Sequence, residues 1–96
     1  MNPKPRLLIF IVAYEAESTL TAVLERIPDS VFDHDTEVLV IDDSSSDRTF
    51  EAGLRSSQAT RHNITVLSNS ENQGYGGNQK LGYQYAIRHG FTIFPR

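Results

Sequence analysis

Acidic and aromatic residues stand directly after two apolar segments of the chain. Asp42 and Asp43 end one of these segments, and Ala13, Tyr14 and Glu15 end an earlier one. An ionised carboxylate only accepts hydrogen bonds, so its natural partners are the N–H of a purine or pyrimidine ring, a sugar hydroxyl or a metal ion. Phosphate is therefore an unsuitable direct partner for the acidic pair.

A glycine-rich run follows a third apolar segment and includes Gly74, Gly76 and Lys80. Glycines allow a ligand to approach the backbone closely, and N–H groups at a helix start bind anions, with the lysine as a nearby positive charge. The run matches neither the dinucleotide fingerprint nor the Walker A sequence. A turn followed by close helix packing is the alternative, because Gly82 and Ala86 are spaced i, i+4. The two interpretations are compatible.

Simpler roles remain open for several of these polar residues. Asp42 or Asp47 can cap the helix that follows the acidic pair, which would leave Asp43 solvated. Glu17 is placed to interact with the N-terminal dipole of its own helix. The histidines have no carboxylate or metal-ligand pattern near them and are predicted to be solvated surface residues. They are His34, His62 and His89.

The apolar pattern predicts strands that alternate with helices. The predicted strands cover residues 7–13, 37–41, 64–67 and 91–94. The predicted helices cover residues 20–27, 47–57 and 78–89, and residues 68–77 form a loop. Ser18 is the predicted N-cap of the first helix, and Gly90 is the predicted C-cap residue of the last. Continuous apolar strands without alternation indicate an α/β fold with a three-layer open parallel sheet.

The composition is that of an ordinary globular protein with an acidic net charge. The 96 residues include 9 Lys and Arg against 12 Asp and Glu, a net charge of -3, so no positive excess is available for a nucleic acid partner. Cysteine is absent, which excludes disulfides and thiolate metal sites. The longest apolar run, Leu7 to Ala13, is far shorter than the ~18 residues of a membrane-spanning helix. We therefore expect a cytoplasmic chain without a transmembrane segment.

The order of these polar clusters resembles that of one enzyme family. The segments IVAYEAESTL, VLVIDDSSSDRT and NQGYGGNQKLGYQYAIRHG resemble the N-terminal nucleotide-binding half of the family 2 glycosyltransferases, which have the GT-A fold. They are most similar to the branch of dolichyl-phosphate and other polyprenyl-phosphate sugar transferases. The resemblance covers residues 6–94. It implies a Rossmann-like sheet whose C-terminal edge binds a UDP- or GDP-linked sugar.

The resemblance also implies a role for each polar cluster in donor binding. The matching positions are Ala13, Tyr14, Glu15, Asp42, Asp43, Gly74, Gly76 and Lys80. The first three match the motif that lines the base and ribose pocket. Asp43, with Asp42 beside it, matches the carboxylate that accepts a hydrogen bond from the base. The last three match the stretch that passes near the ribose and diphosphate.

The chain departs from the family pattern after the fourth predicted strand. In the family this strand runs into a D-x-D motif that ligates Mg²⁺ or Mn²⁺, whereas here Pro95 and Arg96 follow. We therefore expect no cofactor in this chain, although Mg²⁺ or Mn²⁺ is expected for a full-length member. Residues 1–96 are predicted to be a nucleotide-sugar-binding part truncated before the metal motif, with no catalytic residues and no activity of its own. A lipid phosphate acceptor would place it at a membrane.

Two other classes remain open. A non-catalytic module could bind nucleotide, or could form a homo-oligomer through the unpaired edge of the fourth strand. A receiver-type signalling domain also carries an acidic pair at a strand end. In such domains the pair ends the first strand, whereas here it ends the second, and no aspartate occurs after Asp47. The receiver class is therefore the weakest of the alternatives.

Overall fold

The computed structural model describes residues 6–33 and 35–95. The strands are β1 (Leu7–Ala13), β2 (Thr36–Asp42), β3 (Ile64–Ser68) and β4 (Thr92–Pro95). The helices are α1 (Leu20–Glu25), α2 (Thr49–Gln58) and α3 (Gly74–His89), with a 3₁₀ turn at Asp29–Asp33. No helix in these two stretches is long and apolar enough to cross a membrane.

The strands form one open parallel sheet in the order β3-β2-β1-β4. The chain moves outward from β1 to β3 and then crosses back to place β4 on the other side of β1. Ala13 and Asp42 are register partners, so β1 and β2 end level with each other. Such a reversal of direction opens a crevice at the C-terminal ends of the strands, where ligands bind in open α/β sheets.

Helices cover both faces of the sheet, which confirms the predicted three-layer α/β fold. α1 and α2 lie on one face, over a cluster formed by Ala13, Leu20, Leu24, Val38 and Val40. α3 lies on the other face, over a cluster formed by Leu8, Phe10, Leu39, Ile41 and Ala86. All seven residues of β2 are buried, as expected for a central strand that reads as a continuous apolar run.

α3 packs closely on β1 because Gly82 has no side chain. A Cβ at this position would lie only 2.5 Å from Cε2 of Phe10. Ala86, one turn later, is buried in the same contact. The predicted close packing at these two positions is therefore present. The helix ends at Gly90, whose φ of 73° is the left-handed conformation expected of a C-cap glycine.

Two predicted helix starts were wrong. α3 begins at Gly74, four residues before the predicted start at Asn78, so the glycine-rich run is helical instead of looped. α1 begins after Thr19 and has no side-chain cap, so Ser18 is not its N-cap. Glycine is about 1 kcal/mol worse than alanine in a helix, so local preference argues against this early start of α3. Hydrogen bonds to Asp43, which is distant in sequence, offset this cost.

Candidate donor-binding site

The loops that follow β1 and β2 are tied together at the C-terminal edge of the sheet. The Glu15 N–H donates to Ser45 Oγ at 2.9 Å. In return, the N–H and hydroxyl of Ser46 donate to Glu15 Oε1 at 3.0 and 2.7 Å. Glu15 and Ser44 both adopt positive φ, of 50° and 61°, a conformation that non-glycine residues rarely take. The reciprocal bonds hold this strained backbone in place and leave Glu15 Oε2 open.

A second reciprocal pair fixes the start of α2. The Glu17 N–H donates to Asp47 Oδ2 at 3.2 Å, and the Arg48 N–H donates to Glu17 Oε1 at 3.0 Å. Asp47 Oδ1 accepts the N–H of Thr49, the first residue of α2, at 3.0 Å. Asp47 therefore supports the start of α2 from the residue before the N-cap position, which is Arg48. Glu17 serves α2 as well, and the prediction that it stabilises its own helix was wrong.

The acidic pair separates at the end of β2. Side chains alternate between the two faces of a strand, so Asp42 lies on the face of α1 and α2, and Asp43 lies on the face of α3. Asp42 Oδ1 accepts the Ser45 N–H at 3.3 Å. Both residues are buried, with relative exposures of 5% and 4%. The separation reduces the repulsion expected of two adjacent carboxylates. It also prevents the two groups from binding the same edge of a ligand.

Asp43, which directly follows β2, holds the start of α3. Its Oδ1 accepts the Gln73 N–H at 2.7 Å and Asn69 Nδ2 at 2.9 Å, and its Oδ2 accepts the Gly74 N–H at 3.1 Å. Burial by itself raises the pKa of Asp43, but these donors outweigh it and hold the pKa below its ordinary value. A carboxylate offers about four acceptor positions, so one remains on Oδ2.

The hydrogen bonds to Asp43 explain the early start of α3. They also involve two residues that the sequence analysis did not identify. Two N–H groups at the start of α3 are already bound to a carboxylate, so they are not free for an anion. Asn69 and Gln73 were not predicted as site residues. The signal that could have identified Asn69 is its position directly after β3, where polar residues of a parallel sheet gather at the ligand edge.

The remaining predicted residues lie at different distances from Asp43. Tyr14, at the tip of β1, is 56% exposed, so its ring is open to a stacking partner. Ala13 is buried, and its carbonyl accepts the Asp43 N–H at 2.9 Å. Gly76 lies in the first turn of α3, where a Cβ would meet no atom within 4 Å. Lys80 is exposed and lies about 9 Å further along the helix axis than Gly74.

The described residues do not fit a divalent metal ion. Within residues 6–33 and 35–95, no three His, Asp or Glu side chains come together in a way that could hold one. The arrangement of the carboxylates agrees, because Asp42 and Asp43 point to opposite faces and one oxygen of Glu15 already accepts a hydrogen bond from Ser46. No metal-dependent step can therefore be assigned to these side chains.

A separate cavity of about 360 Å³ lies at the opposite edge of the sheet, between the C-terminal ends of α1 and α2. His62 lines it, stacked on Phe32 with ring centroids 3.9 Å apart and with Nε2 2.8 Å from Asp29 Oδ1. The prediction of a solvated histidine without a carboxylate was therefore wrong for His62. His34 falls outside the described residues. None of the predicted site residues lines this cavity.

Comparison with known proteins agrees with this fold. The chain has no match among curated proteins. The solved mannosyltransferase PcManGT from Pyrobaculum calidifontis, in complex with GDP-Man and Mn²⁺, is similar in fold, with a TM-score of 0.58 and 23% identity. The likeness covers 91% of this chain and only 25% of that one. Residues 8–89 match the model of the family described as Glycosyl transferase family 2. Because that match spans most of the sequence, the chain belongs to glycosyl transferase family 2.

Proposed function

We propose that the C-terminal edge of the sheet binds a nucleotide-diphosphate sugar, as the donor-binding part of a glycosyltransferase. The observation that carries the proposal is the carboxylate of Asp43. It is buried, favoured in its ionised form, and held by three donors that leave one acceptor position on Oδ2. A ring N–H of uracil or guanine fits that position. The family match supports the proposal, as does the similar mannosyltransferase, which was solved with GDP-Man.

The other site residues supply the remaining contacts of the proposed donor. Tyr14 stacks on the base, and the open Oε2 of Glu15 accepts a ribose hydroxyl. Gly76 lets the ribose and diphosphate approach the backbone of α3. Lys80 provides positive charge toward the diphosphate from one turn further along. Ala13 and Asp42 hold the strand ends in position, since the Ala13 carbonyl accepts the Asp43 N–H and Asp42 Oδ1 accepts the Ser45 N–H.

Calorimetric titration with UDP and GDP tests the donor site and identifies the base. We expect Asp43→Ala to abolish the binding found for the unsubstituted chain. Asp29→Ala is the matched control, because Asp29 is an exposed carboxylate at the opposite edge of the sheet. Unchanged affinity in Asp43→Ala would remove Asp43 from the site. Circular dichroism of both variants separates loss of binding from loss of folding.

We also propose that residues 1–96 supply donor binding alone and do not transfer sugar. Supporting this, the described residues form no metal-binding cluster, and the chain spans 25% of the similar mannosyltransferase. Mg²⁺ or Mn²⁺ belongs, in this proposal, to a longer family member. Clear sugar transfer by the 96-residue chain in the presence of Mn²⁺ would overturn it. In that case the alternative of a non-catalytic nucleotide-binding module would fail as well.

The acceptor, location and assembly follow as further parts of the proposal. We propose a polyprenyl phosphate acceptor and a cytoplasmic site of action that is membrane-associated through that lipid. Self-association through the edge of β4 is the remaining alternative, and light scattering distinguishes a monomer from an edge-paired dimer. The receiver-type alternative has no structural support, because the acidic pair ends β2 and its two carboxylates lie on opposite faces.

A further inference from the structure

A closed ring of hydrogen bonds joins Asp43 to an asparagine pair outside the predicted site. Asn69 Nδ2 donates to Asp43 Oδ1 at 2.9 Å and to Asn78 Oδ1 at 2.8 Å. Asn78 Nδ2 donates to the Gly74 carbonyl at 2.8 Å, and the Gly74 N–H returns to Asp43 Oδ2 at 3.1 Å. The ring therefore connects the residue after β2, the loop after β3 and the N-terminal part of α3.

Asn78 is the most buried member of this ring. Its exposure is 0%, and it faces the sheet from inside α3. A buried amide destabilises a fold unless its donors and its acceptor are paired. The amide nitrogen and the amide oxygen of Asn78 both have partners within the ring, so a polar side chain is stable here because of what it binds.

The ring has a fixed direction because a backbone carbonyl can only accept. The Gly74 carbonyl requires the amide nitrogen of Asn78 to face it, which turns Asn78 Oδ1 toward Asn69. That oxygen in turn requires the amide nitrogen of Asn69, which then also faces Asp43. Asp43 Oδ1 therefore receives an N–H donor from Asn69, and an N–H donor favours the ionised form of a carboxylate.

We propose that Asn69 and Asn78 are positioning residues of the donor site, which hold the Asp43 carboxylate so that its open Oδ2 position faces the base. This inference rests on the proposed function. Neither asparagine needs to touch the donor, since both act through Asp43. The groups that face Asp43 are the backbone N–H groups of Gln73 and Gly74 and the side-chain amides of Asn69 and Asn78. The adjacent carboxylate, that of Asp42, lies on the other face of the sheet.

The test compares Asn69→Ala and Asn78→Ala with Asn63→Ala. Asn63 is the matched control, because its Nδ2 also donates to a carboxylate, Oε1 of Glu37 at 3.2 Å, in a part of the sheet far from Asp43. The first measurement is the pKa of the Asp43 carboxyl by NMR without nucleotide. We expect it to rise toward its ordinary value in Asn69→Ala and Asn78→Ala and to stay unchanged in Asn63→Ala.

The second measurement is the affinity for UDP and GDP across a range of pH. Binding requires ionised Asp43 and is lost as pH falls through its pKa, so both site variants should lose binding at higher pH than the unsubstituted chain. At neutral pH Asp43 is ionised in every variant, and we expect its altered position to weaken binding roughly tenfold, which is about 1.4 kcal/mol. A purely structural role for the asparagines would weaken binding without moving its pH dependence.

The outcomes separate this inference from the function on which it rests. An Asp43 pKa that is unchanged in both site variants overturns the positioning role, whether or not nucleotide binds. If that pKa rises but the unsubstituted chain binds neither UDP nor GDP, the proposed function fails. The conclusion that Asn69 and Asn78 position Asp43 is then retained. Asn69 is a half-buried loop residue, so Asn69→Ala decides the matter if Asn78→Ala does not fold.

Discussion

Replacement of Gly82 by alanine should destabilise the protein, although alanine is the better residue for a helix. A Cβ at this position would lie 2.5, 2.6 and 2.9 Å from three ring atoms of Phe10. Favourable contacts between carbon atoms lie at about 3.5–4.0 Å. Phe10 is 5% exposed and packed in the cluster under α3, so its ring cannot move without displacing its neighbours. The helix must instead move away from β1.

The size of the effect follows from two opposing contributions. Overpacking of a core costs about 1–3 kcal/mol, and three simultaneous clashes place this site at the upper end. Alanine offsets about 1 kcal/mol of that through its helix preference. The net loss of about 2 kcal/mol corresponds to a melting temperature lower by about 8–16 °C for a chain of this length. In urea, with a slope of about 2 kcal/mol/M, the midpoint should fall by about 1 M.

Urea unfolding followed by circular dichroism checks this expectation, with Gly76→Ala as the control. Gly76 lies in the same helix, and a Cβ there would meet nothing within 4 Å. Gly76→Ala should therefore stabilise the protein by about 1 kcal/mol. Stability of Gly82→Ala equal to or above that of the unsubstituted chain would refute the reasoning. Adding Phe10→Leu to Gly82→Ala should relieve the clash, so the double variant should lose less than the sum of the single variants.

Three further predictions concern the site and its supports. Tyr14→Ala should weaken nucleotide binding by about 1–3 kcal/mol through lost stacking, whereas Tyr83→Ala, on α3, should not; equal affinities in calorimetry would exclude Tyr14 from the site. Tyr85→Phe should destabilise the fold by about 1–3 kcal/mol in urea, because the buried Glu37 loses the hydroxyl that donates to it. The lowered pKa of Asp43 stabilises the fold above the ordinary pKa of 3.8, and that stabilisation is lost as pH falls through the folded value. Asp43→Asn should therefore lose less stability in acid than the unsubstituted chain, and parallel pH profiles would contradict this.

Much of the architecture was predictable because it depends on local pattern. The continuous apolar runs predicted four strands of a sheet covered on both faces, and all four are present with bounds shifted by one residue or less. The spacing of Gly82 and Ala86 predicted the close contact of α3 with the sheet. These features follow from apolar burial and side-chain size, which are properties of the residues themselves.

The roles of the polar residues were harder to predict because they depend on partners that are distant in sequence. Glu17 lies shortly before α1 yet accepts a hydrogen bond from the Arg48 N–H, 31 residues later. The start of α3 is held by Asp43, 30 residues before Gln73. Local preference favours neither outcome, since glycines at a helix start are poor helix formers. Sequence spacing therefore located the polar clusters but not the bonds between them.

The sequence by itself determined the layer architecture and the edge of the sheet at which acidic, aromatic and glycine residues gather. The tertiary structure alone decided how the two adjacent aspartates divide, with Asp42 on the α1 and α2 face and Asp43 bound to the start of α3. The physical reason is that a buried carboxylate takes the orientation in which donors meet it, and those donors come from Asn69, Gln73 and Gly74. The pairing of β3 with β2 brings Asn69 to Asp43, and the turn of the chain into α3 brings Gln73 and Gly74.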